Sequence, residues 1–143
     1  MNRIMGTYTH NLDQKNRLAI PAKIRAELGE SFILTVSPNG ERCLLAYTFD
    51  GWDRVMERIN DQPSSEELML TQRFIYMNSD KIDLDGQGRM TIPAQFMQAA
   101  GFQKEVRILG VGERVEFWDP NEFRAMEERN RALMQSRKIY FSI

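Results

Sequence analysis

The stretch Leu12–Ala22 reads LDQKNRLAIPA, and Leu84–Ala94 reads LDGQGRMTIPA. Sliding the chain against itself by 72 positions pairs Asp13 with Asp85, Arg17 with Arg89, Ile20 with Ile92, Pro21 with Pro93, and Gly29 with Gly101. The same offset places Gly40, Glu41 and Arg42 on Gly112, Glu113 and Arg114. Self-similarity at one period is the mark of a duplicated structural unit.

Each copy carries concordant local signals. Thr7–Leu12 and Arg17–Ile20 lean towards β structure on either side of the polar Gln14, Lys15 and Asn16, which predicts a hairpin. Pro21 stops the strand, and Ala22–Leu28 reads as a short helix ended by Gly29. A second hairpin is expected from Ser31–Val36 and Arg42–Tyr47 through Pro38, Asn39 and Gly40. The second copy repeats the plan with Lys81–Leu84, Arg89–Ile92, a helix over Ala94–Ala100, and strands at Glu105–Leu109 and Arg114–Trp118.

Helices follow each copy. Trp52, Val55, Met56 and Ile59 recur at helical spacing after Asp50, and Ser64 with Glu67 has a capping-box pattern ahead of Leu68–Met77. Asp119 and Pro120 supply an N-cap and a first helical residue for a final helix with Phe123, Met126, Leu133 and Met134 near one face. Such stripes are expected to bind the β units to each other or to a neighbouring subunit. The chain divides into a first unit over 7–49, a helical connector over 50–78, a second unit over 79–122 and a terminal helix and tail over 123–143. A four-strand unit has unpaired edges and too little core to stand alone, so the two must pack together within a chain or interleave between chains, with the hairpins related by a pseudo-twofold.

At 143 residues the chain can bury a core without staples, and its single Cys43 cannot form an internal bridge. The opening lacks a basic segment followed by an apolar run, and no apolar stretch approaches bilayer length, so a cytoplasmic protein is expected. Net charge is −1 overall, but residues 1–28 carry +3 and the remainder −4. The basic part lies over the first copy of the motif.

The pattern Leu12-Asp13-x-x-x-Arg17-Leu18-x-Ile20-Pro21-Ala22, followed by Arg25 and Leu28-Gly29, resembles the swapped-hairpin barrel of the SpoVT-AbrB type. Two such units, with Gly6-Thr7-Tyr8 in front, Arg73 between them and Val115-Glu116-Phe117-Trp118-Asp119 behind, look like the MraZ family from Gly6 to about Phe123. The resemblance implies an α+β fold: two tandem AbrB-like hairpin units forming a pseudo-twofold double-hairpin β-barrel with flanking helices. It implies a regulator of a division and cell-wall gene cluster that binds promoter direct repeats in double-stranded DNA upstream of its own operon. It also implies a homo-oligomer, a ring, associated with the nucleoid.

The residues permit that chemistry. Arginine reaches a guanine edge or a phosphate bidentately, whereas lysine acts as a point charge. In the related regulators the arginines at the Arg17 and Arg25 positions contact DNA. Lys15, Lys23, Asn16 and His10 join them as candidate DNA-binding residues. The plainer alternatives are a loop salt bridge for Asp13 and Arg17 and a solvated basic surface for Lys15, Lys23 and Arg25. Asp13, Asp85, Arg89, Gly88, Pro21 and Pro93 read as structural, and Asn16 and Gly88 mark a position of positive φ. In the second copy Gln87, Gln95 and Met97 replace Lys15, Lys23 and Arg25. The first unit is therefore expected to read DNA and the second to scaffold.

Other chemistries find little footing. Asp83-x-Asp85-x-Gln87-Gly88 opens like a calcium loop, but Ala94 stands where the bidentate glutamate belongs and Pro93 intrudes on the following helix. His10 is the only histidine, Cys43 falls in an expected strand, and no phosphate loop or paired-carboxylate motif is present. No enzyme activity, metal, cofactor, small-molecule substrate or membrane contact is expected. The competing function is an antitoxin-like or ring-scaffold interaction protein with incidental DNA contacts. The β-leaning Ile139–Ile143 segment is expected either to add a strand to a neighbouring subunit or to fray.

Overall fold

The computed structural model describes residues 2–139. In the first repeat, strand β1 (Ile4–Asn11) leads to β2 (Arg17–Ala19), helix α1 (Ala22–Leu28), β3 (Ser31–Val36) and β4 (Cys43–Tyr47). Helices α2 (Phe49–Asn60) and α3 (Glu66–Met77) connect to the second repeat: β5 (Ser79–Asp83), β6 (Arg89–Thr91), α4 (Ala94–Ala100), β7 (Glu105–Gly112) and β8 (Arg114–Trp118). Helix α5 (Pro120–Ser136) follows. The expected helices over 22–28 and 94–100 are present with those bounds, each preceded by proline and followed by glycine at positive φ.

Strand pairing departs from the simplest expectation. Six strands form one antiparallel sheet in the order β1-β7-β8-β4-β3-β5, and β2 pairs with β6 in a separate two-stranded ribbon. The predicted hairpin between residues 7–12 and 17–20 is therefore not formed. β1 runs instead along β7, with Tyr8 opposite Ile108, and β5 runs along β3, with Ile82 opposite Phe32. The cause lies in the core. Leu18 and Met90 face each other at the centre of the ribbon, both fully buried, and neither repeat alone has enough apolar surface to cover its own short strand. Burying each of these side chains contributes roughly 1.5–3 kcal/mol. The strand order reads the same from either edge when the repeats are exchanged, which is the pseudo-twofold. Among the described residues β1 and β5 remain as edges, and strand pairing does not close the sheet into a barrel.

The hairpins β3–β4 and β7–β8 form as expected. Their residues are not related by the constant offset, however. Register makes Leu34 the equivalent of Ile108 and Ala46 that of Phe117. Gly40, Glu41 and Arg42 are consequently not the counterparts of Gly112, Glu113 and Arg114. The loops explain the drift: the β3–β4 connection spans residues 37–42, whereas Glu113 alone joins β7 to β8.

One face of the main sheet joins the ribbon and the two short helices in a core centred on Phe32, Leu34, Phe96, Ile108 and Phe117. The other face carries Cys43, Leu45, Tyr47 and Trp118 against Phe123 and Met126 of α5, with Trp52 and Val55 of α2 packed beside them. Within this second layer the buried Glu116 carboxylate accepts hydrogen bonds from Arg114 Nε and Trp118 Nε1, each at 3.0 Å, so its charge is paired. Thr48 caps α2 by accepting from Gly51 N. Ser65, not Ser64, caps α3 by accepting from Leu68 N, so Glu67 does not close the expected box. Asp119 caps α5 as expected.

Helix α5 buries only its first half. Phe123 and Met126 are covered, while Leu133 and Met134 are exposed. Helix α3 leaves Met69, Leu70, Phe74 and Met77 exposed on one side. Among the described residues, no helix is long and apolar enough to cross a membrane. The Ile139–Ile143 tail lies, beyond its first residue, outside the described residues.

Candidate nucleic-acid interface

The two motif loops close in the same way. Asp13 Oδ1 accepts from the backbone N–H of Lys15 and of Arg17, both at 2.9 Å, while Oδ2 accepts from Arg17 Nε at 2.6 Å. Asp85 repeats the set with Gln87 N at 2.9 Å, Arg89 N at 3.0 Å and Arg89 Nε at 2.8 Å. This geometry sets the spacing: a carboxylate four residues before the arginine meets two amides of the turn and the guanidinium together. Both carboxyls are held below the usual carboxylate range, first by the arginine's own backbone N–H; desolvation opposes this next, and the arginine side chain and the second backbone amide add to the lowering. The loop salt bridge weighed as the plain alternative is present in both copies. It also orients the arginine, because Nε is engaged and the Nη groups have no hydrogen bond among the described residues.

Asn16 and Gly88 adopt φ of 58° and 74°, the left-handed conformation expected for that loop position. Each loop is then tied to the other repeat. Ile20 N donates to Gly88 O at 3.1 Å, and Ile92 N donates to Asn16 O at 2.9 Å. These bonds continue the ribbon ladder, in which Arg17 pairs with Thr91 and Ala19 with Arg89. Since Leu18 and Met90 point into the core, alternation turns Arg17, Ala19, Arg89 and Thr91 outward. His10, on the neighbouring β1, hydrogen-bonds through Nδ1 to Ala19 O at 2.7 Å. A carbonyl can only accept, so Nδ1 carries the proton and Nε2 is left for other partners.

The cations are distributed differently from their order in the sequence. Lys15 is exposed at the tip of the first loop, beside Arg17. Arg25 reaches across to the second repeat: its guanidinium covers Gly88 in the second loop, so closely that a Cβ there would lie 2.8 Å from Arg25 Cζ. Its Nε is 3.8 Å from Glu30. Lys23, exposed, stands two residues earlier on α1. One end of the ribbon therefore carries Lys15 and Arg17, and the other carries Arg89 with Arg25 of α1. The ribbon takes one strand from each repeat, so the motif residues of both copies share one surface. Sequence reasoning missed the Arg25–Gly88 contact and the outward Ala19 and Thr91. The glycine in the second copy only, facing an arginine that only the first copy retains, was the available signal.

Pro21 and Pro93 occupy the turn from ribbon to helix in both repeats. The calcium-like residues are otherwise committed, with Asp85 holding its own loop and Asp83 accepting from Ser31 Oγ. Among the described residues, no group of three or more His, Cys, Asp or Glu side chains is placed to hold a metal ion. Cys43 is buried, and its thiol is pushed up to about 12 by desolvation and then by the Glu116 and Glu41 charges, which keeps it protonated.

Comparison with known proteins adds a family to this geometry. The profile of the family described as "MraZ protein, putative antitoxin-like" matches residues 4–73 and again residues 75–139. A protein of Acetivibrio thermocellus called transcriptional regulator MraZ is 36% identical over 119 residues, covering 82% of each chain. Its namesake from Alkaliphilus oremlandii is 40% identical over 115 residues, covering 80% of this chain and 79% of its own. A third, from Caldicellulosiruptor bescii, is 39% identical over 119 residues, with 82% of each chain covered.

Proposed function

The chain belongs to the MraZ family, and on that premise we propose that it is a sequence-specific transcriptional regulator that lays its β2–β6 ribbon into the major groove of double-stranded DNA. The observation that carries this reading is the ribbon itself. A two-stranded antiparallel ribbon fits a groove about 12 Å wide. Its outward face offers two arginines oriented by carboxylates, two small residues between them, and Lys15 and Arg25 at opposite ends. Arg17 and Arg25 are the leading base or phosphate contacts, Arg89 joins them by geometry, and Lys15, Lys23, Asn16 and His10 flank them.

The family resemblance supplies the wider setting: a division and cell-wall gene cluster, short direct repeats upstream of the protein's own operon, and action at the nucleoid. The two units, 7–49 and 79–122, act as one interlocked AbrB-type body. Few cations per chain would bind weakly, and each phosphate neutralised adds about −0.9 to the log–log salt slope. A homo-oligomer, such as a ring, would bring several faces to repeated sites and raise affinity through effective concentration. The exposed apolar side of α3 and the edges of β1 and β5, unpaired among the described residues, support self-association.

Titration of the wild type, Arg17→Ala and Arg89→Ala against promoter and scrambled duplexes at two salt concentrations tests the reading. The expected result is a preference for the promoter, weakened by either substitution, with a shallower salt slope if the lost contact is to phosphate. Equal affinity of the wild type for both duplexes would favour the antitoxin-like or scaffold alternative.

A further inference from the structure

The two ends of the ribbon differ at one geometrically matched position. Lys15 and Gln87 each sit two residues after the loop aspartate, each has its backbone N–H held by that carboxylate at 2.9 Å, and each side chain is exposed. The carboxylate fixes both backbones alike, so the loop tips present their side chains from equivalent places about the pseudo-twofold. The amide of Gln87 makes no hydrogen bond to any described residue. Next to it, at Gly88, lies the Arg25 guanidinium, so this end keeps a cation although its loop tip has none.

We propose that Gln87 is the adenine-selecting residue of the interface, working beside Arg25, while Lys15 anchors the other end on phosphate. The assignment rests on the DNA-binding reading above and extends it to the second repeat. A glutamine amide offers one acceptor and two donors, which match the N6 donor and N7 acceptor of adenine in the major groove; an ammonium group offers donors only. With charge supplied by Arg25 across the repeat boundary, position 87 is free to carry a neutral base-reading group. The ends of the ribbon thus present different chemistry to one groove.

The test is selection of binding sites from a randomised duplex pool by the wild type, Gln87→Ala, Gln87→Lys and Arg17→Ala. The wild-type motif should contain an adenine whose preference, roughly five- to hundredfold in relative affinity, disappears in Gln87→Ala while the other positions persist. Gln87→Lys should lose the same preference and steepen the log–log salt slope by about 0.9. If Gln87→Ala and Gln87→Lys select the wild-type motif unchanged while Arg17→Ala does not, the regulator reading stands and the Gln87 assignment falls. A wild type that selects no motif overturns both.

Discussion

The guanidinium of Arg25, on the helix of the first repeat, lies on Gly88 in the loop of the second. A side chain at position 88 would have to enter space that Arg25 occupies, since a Cβ would stand 2.8 Å from its Cζ. This contact joins two features that look unrelated in the sequence, the retention of Arg25 in one copy and of glycine in the other.

Gly88→Ala should accordingly do two things. The positive φ at 88 costs a non-glycine residue about 1 kcal/mol, and the methyl group displaces Arg25. The variant should lose about 1 kcal/mol in denaturant unfolding and lose DNA affinity as Arg25→Ala does. Asn16→Gly, at a position already in the left-handed region, should leave stability within about 0.5 kcal/mol. Equal behaviour of Gly88→Ala and wild type in both assays would remove the steric argument.

Acid should loosen the loops in a defined window. Asp13 and Asp85 have folded values below their unfolded ones, so each contributes stability that is present above the unfolded carboxylate value near 4 and lost as pH falls through the folded value. The backbone amide signals of Lys15, Arg17, Gln87 and Arg89 should stay unchanged from neutral pH to about 4 and shift below it. In Asp13→Asn the first loop should lose this acid transition while the second keeps it.

Cys43 should behave as a core group. Its thiol, raised to about 12, ionises more readily in the unfolded chain, so the stability it contributes is full below the unfolded value and declines as pH rises above it. Iodoacetamide at pH 8 should leave the native protein unlabelled and label it in denaturant. Rapid labelling without denaturant would show the second layer to be open.

The ribbon should fail as a unit. Leu18 and Met90 are opposite one another and fully buried, so Leu18→Ala or Met90→Ala should each destabilise the protein by about 2–5 kcal/mol. Because the two side chains share one site, the double variant should lose less than the sum of the single losses. Additive losses, measured by denaturant unfolding, would place the two in separate environments.

Much of the local structure was legible in the sequence. Proline and glycine bracket both short helices, alternation and turn residues mark the β3–β4 and β7–β8 hairpins, and Asn16 and Gly88 announce a left-handed loop position. These are decided by φ restrictions and nearby hydrogen bonds, and such effects act over a few residues. The cap of α3 fell one residue from its expected place, because the Leu68 amide is met by Ser65 rather than Ser64. The matching of Gly40–Arg42 to Gly112–Arg114 failed because the intervening loops differ in length, which identity at a fixed offset conceals.

The sequence by itself determined that the chain is a duplicated unit, that each copy carries an aspartate–arginine loop, and that net positive charge gathers over the first copy of the motif. Tertiary structure alone decided which strand pairs with which. A three-residue strand cannot bury Leu18 unless Met90 covers it, so the repeats exchange partners, and that exchange carries Arg25 across to Gly88. Charge that is one-sided along the chain thereby reaches both ends of a shared ribbon, because apolar burial rather than sequence order sets the neighbours.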